Sequence, residues 1–559
     1  MATASSSGSG RSPLWLHVAV PATAVTTTLL LYSQRTRIMS WMYDAIAKAT
    51  SKEGAAGKAY LSGNFGPVQD ELFAQDLPVI DGKLPYGLDG CYARVGPNPF
   101  FEPTAGYHWF DGDGMIHAVR IRNGKASYCN RYIETDRLKQ ERAAGRPLFI
   151  KLGDLYGKRG IALLLWNKLA KCVGAIRTTL GSGTANTALV YHAGRLLSLN
   201  EGDLPYGLRV LSSGLVETLG RLKVDKAWKT SFTAHPKVDA ATGELLFMGY
   251  SFARNPYVTA GVLDEQGKLT KRWGVELPYP TMMHDMAATK NYIVLLHFPL
   301  CFDGEAMVRD GSIPFRLRTD LPTRMGLVKR DQPSSDKAEV TWFELPGPGA
   351  MAFHVANAWE DAKGDVKIYA CQMDAINLDL DKGDLDKERP MMTEYTLSPA
   401  TGTASARRLT EVVGDFPVIH PGKSTLPCRY SWVATMDTSA GTPSFTGIAK
   451  IDLGAKPGKD ACCGKIVYPP GCYGGEAVYV PRATTIADPK WASRLSEDDG
   501  WLMVYLYDSK QDVSYMAIYD ARTMDKKPVC RVRLPRRVPY GFHGTWVTEP
   551  QLKAQVMWV

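Results

Sequence analysis

Four of the ten histidines in this chain sit in local text that suits metal chemistry. His235 follows Ser231-Phe232-Thr233-Ala234 and precedes Pro236, and His284 lies in Met282-Met283-His284-Asp285. His354 lies in Ala352-Phe353-His354-Val355-Ala356-Asn357, and His543 closes Val538-Pro539-Tyr540-Gly541-Phe542-His543. Each stands beside apolar residues at the edge of a strand-like run. Long stretches of chain separate them, too long for a local zinc loop, whose ligands are a few residues apart. Distant ligands converge only in a fold that aims many segments at one centre, and the inner strands of a β-propeller do this. An imidazole set without thiolate suits iron or zinc. No Ser/His/Asp or Cys/His constellation competes with it.

The elements that must position these histidines read as strands. From about Leu61 onward, short β-prone runs alternate with Gly, Asn and Asp turns. Examples are Ala188 to Leu199 with a turn at Ala193-Gly194, Lys237 to Tyr250 with a turn at Ala241-Thr242-Gly243, and the runs between Leu502 and Leu534. This spacing predicts a large antiparallel β fold, either propeller or barrel. The 52 glycines and 35 prolines fit its many tight turns. No blade signature recurs, so periodicity gives no blade count.

A chain of 559 residues with 45% hydrophobic and 22% charged residues accommodates one closed all-β domain behind an N-terminal extension. The ten cysteines include no Cys-x-x-Cys pair and read as reduced thiols. Cys462, Cys463 and Cys472 cluster, but no histidine lies near them in the sequence. The net charge of +9 comes without basic and aromatic interleaving, which excludes nucleic acid as a partner.

Met1 to Tyr43 contains no acidic residue, is rich in Ser and Thr, and carries an apolar stretch from Leu14 to Leu31 interrupted by His17 and Pro21. That stretch is short for a membrane span. With Arg35 and Arg37 behind it, it predicts an organelle transit peptide and a plastid address, the alternatives being a cytoplasmic protein and a signal-anchor. A second apolar and basic segment runs from Lys151 to Arg177, where Ile161 to Trp166, Leu169 and Val173 mix with Lys158, Arg159, Lys168 and Lys171. It predicts either a helix lying in a lipid headgroup layer or a buried helix whose lysines reach solvent.

Further blocks carry a resemblance. They are Val95-Gly96-Pro97-Asn98-Pro99, the run from Gly106-Tyr107-His108-Trp109-Phe110 through Asp111-Gly112-Asp113-Gly114 to His117, Thr184-Ala185-Asn186-Thr187, and Glu476 to Arg482. With the histidine segments they make the chain from about Tyr60 to Glu549 resemble the carotenoid cleavage dioxygenase family of plants. Its wording is similar to the 9,10(9′,10′)-cleaving type and to apocarotenoid-cleaving relatives such as the zaxinone synthases.

The resemblance implies a seven-bladed β-propeller over residues 59–559, behind an extension of residues 1–58, with a helical and loop roof above an axial metal site. It implies Fe(2+) held by His235, His284, His354 and His543. It also implies that Glu201, Asp415 and Glu476 accept the distal ring N–H of three of them. Several family branches have glutamate where Asp415 stands. Phe353 and Phe542 are implied to line the cleavage site, and Thr187 to lie near an open metal position. His108 and His117 read as structural strand residues, and Asp111 to Gly114 as a tight turn. The implied reaction is oxidative scission by O2 of one conjugated C=C bond of a carotenoid or apocarotenoid, giving two carbonyl products. The Lys151 to Arg177 segment would then be a membrane-touching entrance. A retinoid-type isomerohydrolase and an inactive propeller binding module are the other readings.

Overall fold

The computed structural model describes residues 22–49, 58–178, 181–376, 378, 388–439, 442–485 and 494–557. Seven antiparallel sheets of four to six strands succeed one another around an axis, which makes a seven-bladed β-propeller. Tight turns set their registers. In the second blade Ala188–His192 pairs with Arg195–Leu199 across Ala193 and Gly194, whose φ angles of 49° and 71° give the two left-handed positions of a type I′ hairpin. Longer turns, each with one left-handed residue (Gly243, φ 74°, and Asp512, φ 52°), join Lys237–Val238 to Leu245–Tyr250 and Gly500–Asp508 to Val513–Asp520.

Strand faces bury against the neighbouring blade. Leu246, Met248, Val258, Ala260 and Trp273 of the third blade interdigitate with Met286, Ile293, Leu295 and Val328 of the fourth. A period-two apolar pattern thereby becomes a dry wedge between sheets, the main driving force for the fold.

Both chain ends stitch the ring shut. Gly544–Thr548 adds to the inner edge of the first blade beside Gly90–Pro97, and Val79–Gly82 pairs with Cys530–Arg533 of the last. Arg120, buried in the first blade, bonds the Gly90 carbonyl and forms an ion pair with Glu549 just past the closing strand.

Helices and loops roof one end. The sequence suggests one amphipathic segment from Lys151 to Arg177, but the structure divides it into a 3₁₀ turn, Leu152–Asp154, and a helix, Gly157–Cys172. Lys151, Leu163 and Trp166 are buried; Ile161, Leu165, Leu169 and Val173 are exposed. Against this helix packs Ala22–Ala49, from within the extension. Trp166 Nε1 donates to the Met39 carbonyl at 2.7 Å, and the Tyr43 hydroxyl donates to Asp154 at 2.8 Å. Residues 1–21 and 50–57, half of the expected extension of residues 1–58, lie outside the described residues.

A Cβ at Gly90 would meet the Trp546 ring at 2.3 Å and the Val547 carbonyl oxygen at 2.6 Å. Gly90→Ala is therefore expected to push the closing strand away and cost about 1–3 kcal/mol of stability. The check is urea denaturation, where an unchanged midpoint would contradict this account of closure.

Candidate metal centre

The four histidines come from four blades. His235, His284 and His543 stand one or two residues before the inner strands Lys237–Val238, Met286–Ala288 and Gly544–Thr548, and His354 lies within Met351–Glu360. The last strand is bulged at that point, its register shifting between Ala352 and Val355. A bulge re-aims a side chain that regular pleating would turn away.

The remaining three blades supply carboxylates. Glu201 follows Arg195–Leu199 in the second, Asp415 lies in Gly414–Val418 of the sixth, and Glu476 precedes Val478–Pro481 of the seventh. Glu201 contacts His284 Nδ1, Asp415 Oδ1 lies 2.9 Å from His354 Nδ1, and Glu476 Oε1 lies 2.7 Å from His543 Nδ1. The shorter side chain of Asp415 thus reaches its histidine. His235 is held through its backbone N–H, which donates to Thr233 Oγ1 at 3.0 Å. Lys237 and Asp285 brace the ring of strands, with Lys237 Nζ 2.8 Å from Asp285 Oδ1 and the Val355 N–H donating to Asp285 Oδ2 at 2.7 Å.

These bonds determine what faces the axis. A neutral imidazole that donates from Nδ1 presents a bare lone pair at Nε2. His354 and His543 both donate in this way, yet their Nε2 atoms are 3.1 Å apart. His235 Nε2 and His284 Nε2 are 3.0 Å apart, and ligand nitrogens of His235, His354 and His543 lie within 4.8 Å of one another. Adjacent nitrogens on an ion bound at about 2.1 Å stand about 3.0 Å apart, so the spacing fits a single metal ion. Burial, followed by the neighbouring histidines, holds His235 and His354 well below the usual imidazole range. For His284 burial acts in the same direction, but Glu201 outweighs it and raises the group. Burial lifts Asp415 to about 7.

Above the histidines opens a cavity of about 420 Å³. Phe353, Phe542 and Thr187 line it, together with Phe110, Trp109, Phe416 and Met282. Phe353 meets His284 edge-on at 5.2 Å. Thr187 accepts the His543 backbone N–H on its carbonyl at 3.1 Å, and its hydroxyl donates to Asn186 Oδ1 at 2.9 Å.

His108 departs from its expected place. It caps the 3₁₀ turn Trp109–Asp111, accepting the Phe110 N–H on Nδ1, and it lines the cavity, because the chain must turn there to carry Phe110 over the histidines. His117 does lie in a strand, Gly114–Arg122, 2.7 Å from the Tyr128 hydroxyl. The oxygens of Asp111 accept backbone N–H groups of His108, Leu152 and Gly153, tying this turn to the roof. Phe416 is a site residue that pattern reading missed. Its φ of 56° is a strained value for a bulky side chain, and its ring lies 4.8 Å from His354 and 5.0 Å from His543. The one signal for it in the sequence is its position beside Asp415.

A family model described as retinal pigment epithelial membrane protein matches residues 65–548. The chain is 41% identical over 508 residues to carotenoid 9,10(9′,10′)-cleavage dioxygenase 1 of Phaseolus vulgaris, spanning 89% of this chain and 90% of that one. It is 36% identical to a chloroplastic 9-cis-epoxycarotenoid dioxygenase of Arabidopsis thaliana, spanning 89% of this chain and 82% of that one. Among solved structures, the lignostilbene dioxygenase of Pseudomonas brassicacearum superposes with a TM-score of 0.73 at 27% identity, covering 88% of this chain and 98% of that one. The fold and these matches define an oxygenase enzyme built on a seven-bladed propeller. The chain belongs to the carotenoid cleavage dioxygenase family that includes the retinal pigment epithelial membrane protein.

If Glu476 fixes the tautomer of His543, Glu476→Gln should weaken metal affinity by about 10–100-fold while the metal-free protein keeps its fold. Chelator competition reads the affinity and circular dichroism the fold. Unchanged affinity would remove this role from Glu476.

Proposed function

We propose that this chain is a non-haem iron(II) dioxygenase that cleaves one conjugated C=C bond of a carotenoid or apocarotenoid into two carbonyl products. The observation that carries the reading is the pair of bare nitrogens, His354 Nε2 and His543 Nε2, 3.1 Å apart. Two lone pairs so placed repel unless a cation lies between them, and an all-imidazole donor set suits iron. His235, His284, His354 and His543 would hold it, and the bound iron supplies the activation of O2.

The side chains do the rest by position. Glu201, Asp415 and Glu476 fix ring orientation by engaging the Nδ1 side of His284, His354 and His543, which turns each Nε2 toward the axis. Among the described residues no carboxylate joins the donor set, so a bound Fe(II) would keep its dipositive charge. Phe110, Phe353 and Phe542 give the polyene an apolar bed and exclude water, which strengthens electrostatic interactions within the site. Each atom of O2 ends in one of the two carbonyls, so the net reaction moves no proton. The histidine ring needs no general acid or base beside it.

The test is product analysis by mass spectrometry on C40 carotenoids and shorter apocarotenals, in air and without oxygen. Cleavage in air that stops without oxygen is the expected result, with metal and activity lost in His284→Ala and metal retained in His108→Ala. Turnover without oxygen would replace this reading with an isomerohydrolase. Failure to bind iron on reconstitution would replace it with a binding module.

A carotenoid resides in lipid, and the roof supports collection from a membrane surface. Ile161, Leu165 and Leu169 form an exposed i, i+4, i+8 stripe on Gly157–Cys172, and Ile38 and Trp41 are exposed on the docked helix Ala22–Ala49. No described helix is long and apolar enough to cross a membrane, so contact would be peripheral. A plastid address is supported by the acid-poor start of the chain and by relatives named chloroplastic. Removal of all of residues 1–58 would uncover Trp166 and leave Asp154 without Tyr43. Processing compatible with the roof therefore stops short of Arg35, which donates to the Gly174 carbonyl.

Replacement of Trp41, Leu165 and Leu169 by Ser should reduce co-sedimentation with liposomes while leaving cleavage of detergent-solubilised substrate intact. Equal liposome binding by the triple variant would count against peripheral contact through this face.

A further inference from the structure

We propose that Tyr250 is a positioning residue of the metal centre, whose hydroxyl holds the second oxygen of Glu201 and through that carboxylate fixes the ring of His284. The inference deepens the iron reading above and rests on it. The three carboxylates around the histidines are not held alike. Asp415 Oδ1 accepts the Phe416 N–H at 2.8 Å as well as the His354 ring, and Glu476 Oε2 accepts the Gly544 N–H at 2.6 Å while Oε1 takes His543. Backbone beside the site thus anchors both. Glu201 stands in a turn after Arg195–Leu199, and among the described residues its carboxylate accepts from no backbone N–H. Its Oε1 engages His284 Nδ1, and its Oε2 accepts the Tyr250 hydroxyl.

This contact spans three successive blades. Glu201 belongs to the second, Tyr250 ends the strand Leu245–Tyr250 of the third, and His284 precedes Met286–Ala288 of the fourth. Tyr250 is itself fixed, because its backbone pairs with Val258 and its ring meets Phe252 edge-on at 5.5 Å. A long glutamate side chain in a turn has much rotamer freedom to lose, so a rigid donor on a packed strand supplies the anchor that the turn lacks. Burial, followed by the Glu201 charge, holds the Tyr250 phenol well above its ordinary range, so it remains a donor at neutral pH.

Glu201 alone among the described residues lines two cavities. One lies over the histidines, and the other, of about 1160 Å³, is walled by Tyr250 together with Lys171, Lys229 and Arg254. A wall with these cations suits water rather than a polyene. Water there could bond the same carboxylate oxygen but would leave the side chain free to turn, whereas the phenol bonds it from a fixed point.

The test uses the full chain reconstituted with cobalt(II), with affinity read by chelator competition and ligand geometry by the visible absorption of the bound ion. Tyr250→Phe, which keeps the ring, should retain the fold by circular dichroism, weaken cobalt binding by about tenfold and alter the visible spectrum. In a Glu201→Ala background the same substitution should change the affinity by less than about twofold, because the hydroxyl then has no carboxylate to hold. Unchanged affinity and spectrum in Tyr250→Phe, or a loss of equal size with and without Glu201, would overturn the proposal. Carotenoid cleavage by the iron-loaded wild type is measured in parallel. Its absence while the cobalt results hold would refute the dioxygenase reading and leave the role of Tyr250 standing, whereas a wild type that takes up no cobalt would overturn both.

Discussion

Imidazole nitrogens of like partial charge are brought within 3.1 Å of one another on the propeller axis, and the rest of the structure serves that arrangement. Left alone, such a cluster would splay or take up protons. The carboxylates oppose the first outcome by gripping the outward nitrogens, and burial opposes the second by making imidazolium costly. Four blades give histidines and the other three give carboxylates, so no blade is spare. The seven-fold sheet ring is therefore more than a support on which a site has been placed. Each sheet either contributes a donor or holds one.

Closure of the ring and completion of the site are one event. Gly544–Thr548 pairs with Gly90–Pro97, and His543 is the residue just before this last inner strand. The backbone N–H groups of His543 and Gly544 are fixed by the Thr187 carbonyl and by Glu476, which belong to the second and seventh blades. A fault in the closing strand thus reaches the axis directly. The N-terminal strand Val79–Gly82, laced into the last blade, holds the same seam from the outside.

Above the axis the chain trades regularity for shape. The turn carrying Phe110 is pinned by the three backbone bonds of Asp111, and Phe416 occupies a strained conformation that sets its ring against two histidines. Strain of this kind persists only where neighbours over-determine it, and the packed aromatic wall of Trp109, Phe445, Tyr540 and Phe542 provides such neighbours. The two roof helices pack against each other, with Tyr43 and Trp166 in the core between them and Trp41 and Leu165 facing out. A cavity over the centre and an apolar outer surface together suit a greasy substrate.

The sequence by itself determined which side chains meet. The flanks of His235, His284, His354 and His543 marked the histidines that the structure gathers, the family resemblance added Glu201, Asp415 and Glu476, and local turn chemistry marked hairpins such as Ala188 to Leu199. These features are legible because each is written in a few adjacent residues. Membership of the family, visible in the same blocks, carried the blade count that periodicity did not. Only the tertiary structure decided what depends on neighbours remote in the chain. It put Trp166 in the core and Leu165 at the surface, because Met39 and Tyr43 of a distant helix cover one side and not the other. It turned His108 out of a strand and into the cavity wall, and it set Phe416 against the histidines. Burial and side-chain direction are properties of a packed assembly, and a single line of residues does not record which of its faces another segment will cover.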